Sequence, residues 1–165
     1  MAQSKGIRQV GYFACPGGGQ VVVERNIAYI GHMRNPHGTS VVDVSDPKHP
    51  KLLAQLSMPP GTHSHKVRVG NGLMVINRER LNNRGARGEV PPEGYRGGLG
   101  IYDINEPAKP RLLTNWNTTD PVQSGPASGV HRFDFDGRYA YISPTWDGYV
   151  GNIVMILDLA DATRP

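Results

Sequence analysis

The chain has 165 residues, with 18 Lys and Arg against 14 Asp and Glu, for a formal net charge of +4. The basic residues are scattered except in one loop, and no basic stripe interleaved with aromatics exists to track a nucleic acid. No apolar run reaches the roughly 18 residues of a membrane-spanning helix.

The opening MAQSKGIRQV lacks the apolar stretch of a signal peptide, so the cytoplasm is the default expectation. The single cysteine, Cys15, excludes an internal disulfide. Gly (21) and Pro (14) are in excess, yet short apolar runs such as VVV and VMIL recur between them. No window carries a sustained helical stripe. Short apolar or alternating runs bounded by Gly, Pro, Asn and Asp indicate an all-β chain.

In chain order, residues 7–13 (IRQVGYF) read as a strand and 14–19 (ACPGGG) as a loop. Residues 20–24 and 26–30 read as strands around a tight turn at Arg25-Asn26. A loop with His32, Arg34 and His37 leads to a strand at 39–44. The second cycle runs through strands at 51–56 and 65–69, a hairpin turn at Gly70-Asn71-Gly72, and strands at 73–77 and 99–104. Between the last two lies a long insertion, 78–98, with Arg78, Arg80, Arg84, Arg87 and Arg96 against Glu79, Glu89 and Glu93. A strand at 112–116 closes the cycle. The third cycle has strands at 131–135, 138–143 and 153–157, with a loop SPTWDGYVGN between the last two.

One motif punctuates these cycles. It stands as VVDVSDPKHP from Val41, IYDINEPAKP from Ile101 and ILDLADATRP from Ile156. The Asp residues are 60 and 55 residues apart, the size of one repeat unit. Each cycle holds four antiparallel strands, A to D, and such a meander repeated radially is a propeller blade. Asp at the strand end accepts backbone bonds and Pro presets φ, so Asp43, Asp103 and Asp158 are expected to tie down turns. The expected fold is therefore an all-β propeller segment: a strand D at 7–13, blades at 20–56 and 65–116, and a partial blade at 131–158.

The three motifs resemble the LVIVD-repeat family, an apolar strand followed by Asp and a D-P-x-x-P turn. The resemblance implies a β-propeller and says little about activity. The third copy departs, with Ala162 in place of the first turn Pro. About three blades is fewer than the roughly four to eight of most propellers. The ring is thus expected to be completed by C-terminal blades beyond Pro165 or by a second chain. The stop inside a turn motif favours the former.

Topology places Cys15, His32, Arg34, His37, His63, His65, Arg78, Glu79, Arg80, His131, Trp146 and Asp147 on one rim. His63 and His65, at i and i+2, project to the same side of an extended chain. His131 occupies the position of His65 one blade on. That pattern suits a divalent transition metal, Cu, Zn or Fe, held by His63, His65 and His131, with His37 or His32 as a further ligand. The bland alternative is that these histidines cap inner strands. The run from Val41 to His65 is also similar to the selenium-binding protein/methanethiol oxidase propellers, with a turn, a strand, Met-Pro and a His pair. That resemblance implies metal-binding roles for His63 and His65, copper, and thiol oxidation, although the pair here is His-Ser-His. Two functions follow as expectations. One is a module binding a protein or small molecule through Arg78, Arg80, Trp146 and Asp147. The other is a metal-dependent oxidoreductase or hydrolase. Motifs for other chemistries (G-x-S-x-G, H-E-x-x-H, C-x-x-C) are absent from the sequence.

Overall fold

The repeated aspartates set the local structure. Asp43 Oδ1 accepts the Ser45 N–H at 2.8 Å, Asp103 Oδ1 the Asn105 N–H at 3.0 Å, and Asp158 Oδ1 the Ala160 N–H at 2.9 Å. Three residues further on each turn closes on itself, as His49 N to Asp46 O, Lys109 N to Glu106 O and Arg164 N to Asp161 O. The chain thus leaves each strand through the same hydrogen-bonded bend, and the acids are turn anchors. All three carboxyls lie below the ordinary aspartate range: the Ser45 side chain and then its N–H lower Asp43, the Asn105 N–H and then Arg111 lower Asp103, and the Arg138 guanidinium and then the Ala160 N–H lower Asp158.

A computed structural model describes residues 6–81, 88–118 and 129–165. Arg84 and Arg87 of the insertion lie outside the described residues. The described chain is all β. Its strands are β1 (Gly18–Glu24), β2 (Ile27–His32), β3 (His37–Asp43), β4 (Lys51–Ser57), β5 (Thr62–His63) and β6 (Val67–Gly70). They continue as β7 (Leu73–Arg80), β8 (Gly98–Asp103), β9 (Arg111–Asn117), β10 (Phe133–Phe135), β11 (Tyr139–Ile142) and β12 (Met155–Asp158). No helix among the described residues is long and apolar enough to cross a membrane.

Three antiparallel sheets form. The first runs β1-β2-β3-β4 and the third β10-β11-β12, while in the second β6 and the short β5 both pair with β7, followed by β8 and β9. These are propeller blades. The hairpin turns fit the sequence: Arg25 and Asn26 both have positive φ, as do Asn71 and Gly72, the combination that matches strand twist.

Strand alternation explains the core. On the middle sheet Met74 and Ile76 point one way and pack with Tyr29, Val41, Val67 and Ile104. Val75, Leu99 and Ile101 point the other way and pack with Phe133, Phe135, Ala140, Ile142 and Leu157. Each sheet is therefore glued to the next by one apolar layer, and burying a side chain of this size contributes roughly 1.5–3 kcal/mol. Arg68 on β6 adds an ion pair across to Asp134 on β10, at 2.7 Å.

The outer faces of the end sheets also alternate but are uncovered. Val21, Val23 and Leu52 are exposed on the first sheet, Tyr141 and Ile156 on the third. Residues 7–13 correct one expectation, since they form no strand. Gly11 lies so close against the Pro47 carbonyl that a Cβ would overlap it, and Ile7, Val10 and Tyr12 stay exposed. No sheet edge accepts the segment, and β12 has no strand on its outer side among the described residues.

Candidate metal centre

The strand that builds the site is longer than its sequence suggests. The expected strand at 73–77 extends to Arg80, into the start of the insertion. Beyond the hairpin partner β6, this extension pairs with β5, and His63 falls opposite Glu79. Asn77 and Glu79, at i and i+2, share one side of β7. Glu79 also bridges to Gly129, which carries the chain toward His131.

Four side chains meet there. His63 Nε2 donates to Glu79 Oε2 at 2.8 Å, and His131 Nδ1 approaches Glu79 Oε1 at 3.0 Å. The His65 ring lies 4.4 Å from that of His63 and 5.3 Å from that of His131, centroid to centroid. Donor atoms of His63, His65 and Glu79 all fall within 4.8 Å of one another. Asn77 orients the group. Its Oδ1 accepts the Lys66 N–H at 2.9 Å, which turns its Nδ2 toward Glu79 Oε2 at 3.3 Å and His65 Nδ1 at 3.5 Å.

His63 and His65 are buried and Glu79 nearly so, while His131 is exposed and forms the open side. Burial pushes the Glu79 carboxyl up, but the hydrogen bonds from His63 and His131 outweigh it and hold it below the usual range. Burial pushes His65 down to about 4, helped by the charges of His63 and Lys66. The other ring nitrogen of His63, Nδ1, is buried and has no hydrogen-bond partner among the described residues. An unsatisfied buried polar atom costs about 1–3 kcal/mol, so it marks a position where a ligand would be welcome.

The donor set suits a borderline divalent ion. Imidazole and carboxylate ligands bind Zn²⁺ at about 2.0–2.2 Å, the ligand types that meet here. The structure thus brings together His63, His65 and His131 of the expected ligands and adds Glu79. It places His37 elsewhere, its ring 5.4 Å from that of His32.

The expected ligand-binding residues are engaged with the protein itself. Arg78 and Arg80 both lie over the Tyr95 ring, and Arg80 also donates to the Tyr95 carbonyl at 2.6 Å. Trp146 stacks on Trp116 at 5.8 Å. Asp147 Oδ1 accepts the Gly148 N–H at 3.1 Å. The Arg and Trp contacts tie loops to the sheets beneath them, while the Asp147 bond is local to its loop. Sequence reasoning put Glu79 on the same rim but left it out of the ligand set, because it stands in an Arg-rich stretch; the signal available was the i, i+2 spacing of Asn77 and Glu79 opposite the His pair.

No curated protein matches the chain. Residues 18–56, which are the first sheet from the start of β1 through Leu56 of β4, match the family model of the LVIVD repeat. The turn anchored by Asp43 lies inside that match and recurs at Asp103 and Asp158. Residues 18–56 are thus an LVIVD repeat, and the matched repeat forms the first blade.

Proposed function

We propose that this propeller segment is a metal-binding module whose working element is a divalent transition-metal centre held by His63, His65, Glu79 and His131. The observation that carries it is the buried, unpartnered His63 Nδ1 within a cluster of three imidazoles and one carboxylate. A cluster built only to cap strands would satisfy its buried nitrogens internally.

The four residues divide the work. His63 and His65 supply a fixed, dry floor from one short segment. Glu79, kept ionised by its neighbours, supplies the negative charge. Asn77 holds Glu79 and His65 in place as an outer partner, the kind of support that typically tunes a centre by about 10–100-fold in affinity. The exposed His131 forms the side open to solvent. A divalent metal held by these residues would supply Lewis acidity. The alternative, anion or partner recognition through Arg78 and Arg80, is less favoured because both guanidinium groups lie over the Tyr95 ring, Arg78 donates to Asn117 Oδ1 and Arg80 to the Tyr95 carbonyl, although the buried Arg80 Nε has no partner among the described residues.

Elemental analysis of the purified protein, followed by calorimetric titration of the metal-free form with Zn²⁺ and Cu²⁺, tests the proposal. One equivalent of metal, lost in both His65→Ala and Glu79→Ala, supports it. Failure to bind either ion above micromolar affinity, with unchanged metal content in both variants, sinks it.

A further inference from the structure

The three sheets are stacked by one repeated contact. In the first sheet the cross-strand pair Tyr29–Val41 faces the second sheet, and in the second sheet the equivalent pair Val75–Ile101 faces the third. All four side chains are 2 % exposed or less. Each pair is met by alternate residues of the next hairpin, Val67 and Val69 of β6 in one case and Phe133 and Phe135 of β10 in the other.

The same contact is left open at both ends of the stack. The equivalent pair of the third sheet is Tyr141–Ile156, at 38 % and 58 % exposed. The β1 residues equivalent to Val67 and Val69 are Val21 and Val23, at 58 % and 60 %. One end of the stack thus carries the giving half of the contact and the other end the receiving half.

The third sheet also has no fourth strand among the described residues. In the first two sheets that strand is β4 or β9, and the chain leaves it for the next sheet. Both carry the same short pattern, an apolar residue, a variable one, an amide and a second apolar one. It reads Leu53-Ala54-Gln55-Leu56 in β4 and Leu113-Thr114-Asn115-Trp116 in β9. Its apolar members pack into the layer shared with the following sheet. Ile7-Arg8-Gln9-Val10 repeats the pattern and leads into β1. By position it is the fourth strand of a sheet that precedes the first. Among the described residues no such sheet exists, and Val10 and Tyr12 stay 50 % and 76 % exposed. Gly11, held against the Pro47 carbonyl, anchors the segment beside the first sheet, where a fourth strand packed on that sheet belongs.

A second copy of the chain carries everything that each open end lacks. We infer that two copies close into one ring of six sheets. The third sheet of each docks on the first sheet of the other, and residues 7–10 of each complete the other's third sheet beside β12. Six sheets fall within the roughly four to eight of most propellers. The contact is head to tail, and a half-turn rotation closes it, so no open end remains to recruit further copies. It also covers a bare strand edge and two apolar faces that would otherwise invite aggregation. Thr114 stands opposite Ile101 in the second sheet, so Arg8 of one copy stands opposite Ile156 of the other.

The test is the mass of the full chain by multi-angle light scattering, with a chelator present so that no metal bridges copies. A discrete dimer, twice 18.0 kDa, is expected. Val23→Asp and Ile156→Asp lie at opposite ends of the stack. Each should halve the mass and leave the far-ultraviolet circular dichroism unchanged. The lent strand has its own readout. In a Cys15→Ser background, Arg8→Cys combined with Ile156→Cys should form a disulfide that links two chains. A chain that stays monomeric at micromolar and higher concentrations, an open series of larger oligomers, a dimer that survives either Asp substitution, or no disulfide between chains overturns the proposal.

Discussion

Glu79 Oε2 stands 2.8 Å from His63 Nε2, although the two residues are 16 apart in sequence. The pairing exists because β7 outruns its hairpin partner and meets β5 with its last turn of strand. A carboxylate is thereby fixed among histidines that the i, i+2 spacing had already turned to one side. Replacing Glu79 with Gln preserves the shape and removes the charge. Zn²⁺ affinity measured by competition with a chromophoric chelator is expected to fall by at least about 10–100-fold. An unchanged affinity would place the ion away from Glu79.

His65 gives the metal-free protein a pH-dependent stability. Its folded pKa of about 4 lies below the ordinary 6.5, so the unfolded chain binds the proton more readily. Stability contributed by keeping the ring neutral is fully present above about pH 6.5 and is lost as pH falls toward 4. Thermal melts of the chelator-treated protein should show Tm dropping across that window. His65→Phe should flatten the drop, since the replacement has no proton to gain.

Gly31 is a spacer between the first sheet and the His63–His65 segment. A Cβ there would stand 2.5 Å from the His65 carbonyl carbon and 2.6 Å from Ser64 O, both backbone atoms that cannot swing aside. Gly31→Ala is expected to cost about 1–3 kcal/mol. It should also weaken metal binding, because the backbone it displaces carries two of the ligands. A denaturant melt and a metal titration on the same sample would separate the two effects. A variant as stable as wild type would mean that the sheets are less tightly apposed.

The interior should be far less tolerant than the loop at 143–152. Leu99 is fully buried between the second and third sheets, and Leu99→Ala is expected to cost about 2–5 kcal/mol. Val150 is fully exposed, and Val150→Ser should change stability by less than about 0.5 kcal/mol. Urea midpoints for the two variants provide the comparison.

Much of the fold was legible because the turn chemistry is local. An Asp that bonds the N–H two residues on needs no tertiary information, so Asp43, Asp103 and Asp158 announce their bends directly. Short apolar runs bounded by turn residues did the same for β7 and β8, and alternation for β11. The N-terminal segment misled because IRQVGYF has strand-like composition, yet a strand also needs an edge to pair with, and that is a property of the assembled sheets. The metal centre was half legible. His63, His65 and His131 follow from blade phase. Glu79 depends on how far β7 runs past its turn, which is not written in local composition.

Ser64 lies between two of the proposed ligands, and its carbonyl accepts the His32 amide at 3.1 Å while its hydroxyl donates to the Gly38 carbonyl at 2.8 Å. The Ser64 peptide is thus a wall between the imidazoles of His63 and His65 and the end of β2. The His32 amide hydrogen reports on its opening. Its exchange with solvent deuterium times the breathing of that wall, and any ligand that braces His63 and His65 should slow it from across the sheet boundary.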